Sequence, residues 1–90
     1  GIVTQYTPAG ESVILDIEVP SAITRFLTHK GSVAVDGVSL TINQMIDNTF
    51  SVNLIPHTLM VTTLGQLQLG SQVNLETDML ARYVARLLNI

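Results

Sequence analysis

At 90 residues the chain fits one domain, and its 47% hydrophobic and 12% charged residues place it among globular proteins. A formal charge of -3, from seven acidic residues against four basic ones, supplies no basic patch for multiple phosphate contacts and argues against nucleic-acid binding. Cysteine is absent, which removes disulfides, thiolate nucleophiles and cysteine metal sites, and the two histidines, His29 and His57, make a poor metal set.

No apolar run approaches membrane-spanning length, so a membrane role is not expected. The first residues lack the basic region and apolar block of a secretory signal, and the cytoplasm is the expected location. A chain this short buries only about 60% of its unfolded surface, so its core must be efficient or helped by a neighbour.

In chain order, residues 1–6 read as an opening strand stopped by Pro8-Ala9-Gly10. Val13, Leu15, Ile17 and Val19 alternate with Ile14, Asp16 and Glu18, the period of a half-buried strand. Pro20 suits the start of a brief helical turn that runs through Phe26 and Leu27 and ends at Lys30-Gly31. Strands are predicted over 32–35 and 38–45, around an Asp36-Gly37 turn. Val38, Leu40 and Ile42 then face one way and Ser39, Thr41 and Asn43 the other, so one strand both closes a core and presents a hydroxyl face.

Asp47-Asn48 reads as a turn, followed by the alternation of Phe50, Val52 and Leu54. Pro56 ends that strand because it cannot donate to a ladder. Gly65 and Gly70 bracket a loop or short strand, and 72–77 reads as the last strand. Six strands at this spacing predict an all-β fold, a small six-stranded antiparallel barrel or sandwich whose closure would remove exposed edges. The tail changes period: Leu80, Tyr83, Val84, Leu87 and Leu88 follow helical spacing, with Asp78 placed as an N-cap. The chain therefore divides into a barrel over 1–78 and a C-terminal helix over 79–90, and the apolar stripe of that helix must cover the barrel or a second chain.

The candidate site residues follow from this layout. Ser39 and Thr41 share a strand face, and hydroxyls that donate and accept suit a heterocycle edge or a polyol; cross-strand pairing or water is the plainer alternative. The Asp78 carboxylate can accept a ligand hydroxyl and still cap the helix. Thr58 and Thr62 follow the break at Pro56, with Ile55 extending the strand before it. His57 would be a general base only with a partner in hydrogen-bond reach, and a solvated turn histidine is the simpler reading. Lys30 could attract an anion or complement a helix C-terminus, and Asp36 serves its turn. There is neither a Walker loop nor a dinucleotide fingerprint.

Three segments carry a resemblance: KGSVAVDGVSLTIN at 30–43, LIPHTLMVTTLG at 54–65 and GSQVNLETDMLARYVARLL at 70–88. Together, in order and over nearly the whole chain, they resemble the carboxy-terminal barrel of riboflavin synthase. The resemblance implies a subunit of two similar six-stranded Greek-key barrels and a C-terminal helix, assembled as a homotrimer. It also implies dismutation of two 6,7-dimethyl-8-ribityllumazine molecules into riboflavin and a diaminopyrimidine by transfer of a four-carbon unit, with no added cofactor. The active site is expected between this barrel and the amino-terminal barrel of a neighbouring subunit.

By motif, the residues carried over are Lys30, Ser39, Thr41, Ile55, Thr58 and Asp78. Ser39 and Thr41 would contact the lumazine ring and the base of the ribityl chain, and Ile55 would line the ring pocket. Thr58 would hold polar atoms, Asp78 would accept ribityl hydroxyls and Lys30 would orient the site. None is assigned as catalytic within this half. In the family's amino-terminal barrel a cysteine usually stands where this chain has Ser39, which favours the carboxy-terminal assignment. The other barrel and a histidine-containing linker are expected before Gly1, so this chain would hold half of a composite site, with weak binding and little or no turnover alone. A noncatalytic lumazine- or flavin-carrying relative is the second reading, and a structural barrel that assembles through its last helix the third.

Overall fold

The computed structural model describes residues 1–88; the last two residues of the predicted 79–90 helix, Asn89 among them, lie outside the described residues. Six strands are present: β1 Ile2–Ala9, β2 Ser12–Glu18, β3 Ser32–Val35, β4 Val38–Ile46, β5 Thr49–Leu54 and β6 Leu75–Thr77. Three helices, α1 Ser21–Thr24, α2 Pro56–Val61 and α3 Met79–Leu88, and a 3-10 turn at Thr63–Gln66 fill the connections. The strands form one antiparallel sheet in the order β1-β2-β5-β4-β3-β6. Strands β3, β4 and β5 form a meander, and β2 lies beside β5 after a long connection, which is Greek-key topology.

The alternating patterns place the core. Val13, Leu15, Ile17 and Val19 are buried, as are Phe50, Val52 and Leu54 on the neighbouring strand and Val33, Val35 and Ile42 beyond it. Phe50, fully buried, stands opposite Ile17 on one side and Met45 on the other, at the centre of the cluster. The Asp36-Gly37 turn has positive φ at both residues, 48° and 82°, the pattern of a two-residue type I′ hairpin that puts Val35 opposite Val38.

Four expected elements differ. β1 continues through Pro8 to Ala9, and the chain reverses at Gly10 (φ 67°) and Glu11. Along most of its length β1 is an edge strand, where a residue that cannot donate is tolerated. The helical turn after Pro20 is only Ser21–Thr24, short of Phe26 and Leu27. Pro56 starts a helix as well as ending a strand, because a proline at the first helical position lacks a hydrogen the helix does not need.

The last difference concerns closure. The predicted 72–77 strand is divided between two partners: Leu75–Thr77 pairs with β3, whereas the residues before it serve β1. Val3 N–H donates to Ser71 O (2.9 Å), Gly70 N–H to Val3 O (2.8 Å) and Val73 N–H to Gly1 O (2.9 Å). With only an isolated bridge between Ile2 and Gln72 at this seam, the sheet is not closed by a continuous ladder. The division falls at Asn74, which bonds to the β3–β4 turn and not to β1. Asp36 N–H donates to Asn74 O (2.9 Å), and an Asp36 carboxylate oxygen accepts from Asn74 N–H (2.8 Å).

One glycine is required by close approach. A Cβ built on Gly65 would lie 2.5 Å from the Leu59 carbonyl oxygen, where the 3-10 turn folds back on α2. Backbone cannot swing aside as a side chain can, so Gly65→Ala is expected to cost about 1–3 kcal/mol. For a domain of this size that is a drop of several degrees in melting temperature, measured by thermal unfolding. An unchanged midpoint would show that the α2 junction yields freely.

Candidate functional site

The hydroxyl face predicted on β4 exists and is exposed: Ser39 and Thr41 point away from the core, while Ile42 is buried. The hairpin register sets what stands beside them. Ala34 of β3 lies opposite Ser39, and Ser32 opposite Thr41. On the other flank of β3, Ala34 is also opposite Glu76 of β6, so Ser39, Ala34 and Glu76 form a row across three strands. The small Ala34 side chain leaves that row open at its middle. Continuing β6 by period two carries Asp78 onto the same face as Glu76.

The result is a cleft of about 410 Å³ on the outer face of β4, β3 and β6, lined by Ser32, Ala34, Gly37, Ser39, Glu76 and Asp78, among others. Two carboxylates and two serine hydroxyls around a small apolar floor make a hydroxyl-binding arrangement, rich in acceptors and able to donate through the serines. Asp78 is also the N-cap of α3, with Leu80 N–H donating to its carboxylate at 3.0 Å. One oxygen serves the helix, and the other carboxylate lone pairs remain available. Asp36 contributes indirectly by clamping Asn74, which sets where β6 runs against β3.

Of the six candidate residues, Ser39 and Asp78 share this cleft and the other four do not line it. Thr41 is one register step away, opposite Ser32. Lys30 is exposed, and its backbone has φ 69° with its N–H donating to Ile42 O at 2.8 Å. It is not at a helix C-terminus, since α1 ends at Thr24. Ile55, the residue before α2, is 52% exposed, and Thr58 is half-buried within that helix. Both follow the point where β4 leaves β5: pairing between those strands runs from Ile46↔Thr49 to Ile42↔Val52, and beyond it β4 pairs with β3 alone. Thr62 is structural, donating its hydroxyl to Thr58 O (2.7 Å) and accepting from Leu64 N–H (3.2 Å).

Glu76 and Ser32 were not singled out from the sequence. Glu76 precedes Asp78 by two positions on an alternating strand, and Ser32 is placed opposite Thr41 by the Asp36-Gly37 turn, so both were recoverable. A larger cavity of about 610 Å³ lies at the open seam, lined by residues such as Gly1, Glu18, Gln72 and Asn74. It holds none of the candidate residues.

Helix α3 settles where its apolar stripe points. Ala85 is its buried residue, and Ala81 and Ala85 line a groove with Phe26, Thr28 and Gly31. Leu80 and Val84 border the same groove yet stay exposed, as do Tyr83, Leu87 and Leu88, so most of the stripe is left uncovered by its own barrel.

Comparison with known proteins places this geometry. Residues 1–78 match the family model of the lumazine binding domain. The chain is 49% identical over 78 residues to riboflavin synthase of Brucella abortus (strain 2308), covering 87% of this chain and 39% of that protein. It is 48% identical over 80 residues to riboflavin synthase of Photobacterium phosphoreum, covering 89% of this chain and 37% of that protein. The chain thus spans well under half the length of these relatives. Among solved structures, LumP complexed with flavin mononucleotide matches with a TM-score of 0.82 at 26% identity, over 86% of this chain and 44% of that one. LumP complexed with 6,7-dimethyl-8-(1'-D-ribityl) lumazine matches with a TM-score of 0.81 at the same identity and coverage. The chain belongs to the lumazine-binding domain family.

Proposed function

We propose that this chain is the lumazine-binding carboxy-terminal half of a riboflavin synthase. The observation that carries the reading is the outward cleft in which Ser39 and Asp78 converge, in a chain of this family. In this reading 6,7-dimethyl-8-ribityllumazine lays its ribityl hydroxyls against Asp78 and Ser39, with Thr41 at the base of that chain. Ile55 and Thr58 serve the ring end, and Lys30 orients the site. The barrel is residues 1–78, and helix α3 associates subunits.

The cleft lies on the outer face of the sheet, so a ligand there is covered only when another surface is laid over it. That supports a composite site; in this reading the amino-terminal barrel of a neighbouring subunit completes it, in a cytoplasmic homotrimer. The reaction converts two lumazines into riboflavin and 5-amino-6-ribitylamino-pyrimidinedione by four-carbon transfer, with no added cofactor. It needs one lumazine methyl group made acidic, a nucleophile added to the other lumazine, and the two rings held face to face. Orientation of this kind supplies a large share of a bimolecular rate.

Titration of the folded chain with riboflavin, followed by quenching of flavin fluorescence, tests the binding claim. Saturable quenching lost in Ser39→Ala supports it; no quenching at any concentration overturns it. A ligand-carrying role without turnover is the second reading, favoured by the structural similarity to LumP in its lumazine and flavin complexes. Turnover on completion of the site separates the two.

The helix claim has its own test. Leu87 is 84% exposed, so Leu87→Glu should leave barrel stability within about 0.5 kcal/mol. Placed in an associating stripe, the same charge should shift sedimentation toward monomer. An unchanged sedimentation profile would show that the stripe does not join chains.

A further inference from the structure

We infer that the Ser39–Asp78 cleft selects a ribityl chain that ends in a free hydroxyl and rejects one that ends in phosphate, so that this chain binds riboflavin and lumazine in preference to flavin mononucleotide. The inference rests on the lumazine-binding reading above and adds a specificity to it. Two carboxylates, Glu76 and Asp78, stand on the same wall of the cleft, and no lysine or arginine among the described residues lines it. Lys30 precedes Ser32 by two positions but is not part of the lining, and counting it would still leave the site net negative. Arg25 lines the adjoining groove, with its guanidinium 4.8 Å from the centroid of the Phe26 ring.

Glu76 and Asp78 both line the cleft, and charges closer than the Debye length, about 8 Å at physiological salt, are incompletely screened from one another. A phosphate that comes to rest beside them therefore feels both carboxylates. It brings a charge of about -1.5 to -2, whereas a terminal hydroxyl brings none and can donate to either carboxylate. LumP, of similar fold, has been solved with flavin mononucleotide. Among the side chains that line the cleft, Glu76 is the one that adds a second negative charge without capping the helix.

The test compares riboflavin and flavin mononucleotide by fluorescence titration at low and high salt, with the unmodified chain and with Glu76→Gln. At low ionic strength flavin mononucleotide should bind about tenfold more weakly than riboflavin, and the gap should close to within about threefold at 0.5 M salt. Glu76→Gln should narrow the low-salt gap about threefold, read as the ratio of the two affinities within each variant so that a change common to both ligands cancels. Equal affinities at low salt, or a gap indifferent to both salt and Glu76→Gln, would overturn the inference while the binding site stands. Failure of riboflavin itself to bind would overturn the site and the inference together.

Discussion

Phe50→Ala should destabilise the domain by about 3–5 kcal/mol, the usual cost of deleting a buried aromatic side chain. Phe50 is fully buried between Ile17 and Met45 on the central strand, and it touches the cluster that joins β2, β5 and β4. A domain of this length has a net stability near the low end of about 5–15 kcal/mol, so the loss removes most of it. Urea unfolding should show a much lower midpoint with a similar slope, and ligand binding should fall with the folded fraction. A midpoint shifted by less than about 1 kcal/mol would mean that the core does not centre on Phe50.

Asp78 is expected to show two separable losses. Its carboxylate caps α3 through Leu80 N–H, and Asp78→Ala should cost about 0.5–2 kcal/mol of stability on that account. The same substitution removes a charged acceptor from the cleft, which is worth about 1.5–3 kcal/mol in a ligand hydrogen bond, or roughly tenfold to a hundredfold in affinity. Asp78→Asn divides the two: asparagine caps as well as aspartate, so stability should return, whereas affinity for riboflavin should recover only in part. Isothermal titration beside thermal melts measures both. Full affinity in a folded Asp78→Ala chain would remove Asp78 from the ligand site.

Much of this architecture was legible because short-range rules dominate it. The alternation of Val13, Leu15, Ile17 and Val19 and of Phe50, Val52 and Leu54 needs only the strand period, and all seven are buried. Once Asp36-Gly37 is taken as a two-residue turn, the pairing of Ser32 with Thr41 and Ala34 with Ser39 follows by counting outward. The helix start at Asp78 was readable from its cap. What was not legible depends on competition between distant partners. The 72–77 segment carries one continuous strand pattern, yet Gln72 and Val73 bond to the start of the chain at Gly1 and Ile2 and Leu75–Thr77 pairs with β3, with Asp36 holding Asn74 at the division. Nothing local in those residues announces the split, and it is why the expected closure is incomplete.

The site was legible in the same uneven way. Ser39 and Asp78, both read as candidates, line one cleft. Glu76 was passed over, although its spacing from Asp78 puts both on one face. Ile55 and Thr58 were noted only as flanking the break at Pro56 and took ligand roles from the resemblance; in the single chain they sit apart from the cleft, at a helix that the break alone does not announce.

Lumazine dismutation, followed by riboflavin fluorescence, tests the composite half-site most directly when this chain is assayed alone and after mixing with a separately produced amino-terminal barrel. The expected result is slight or no riboflavin from either part alone and clear turnover from the mixture. Folded partners that bind lumazine yet form no riboflavin when mixed would contradict the account and favour a carrier.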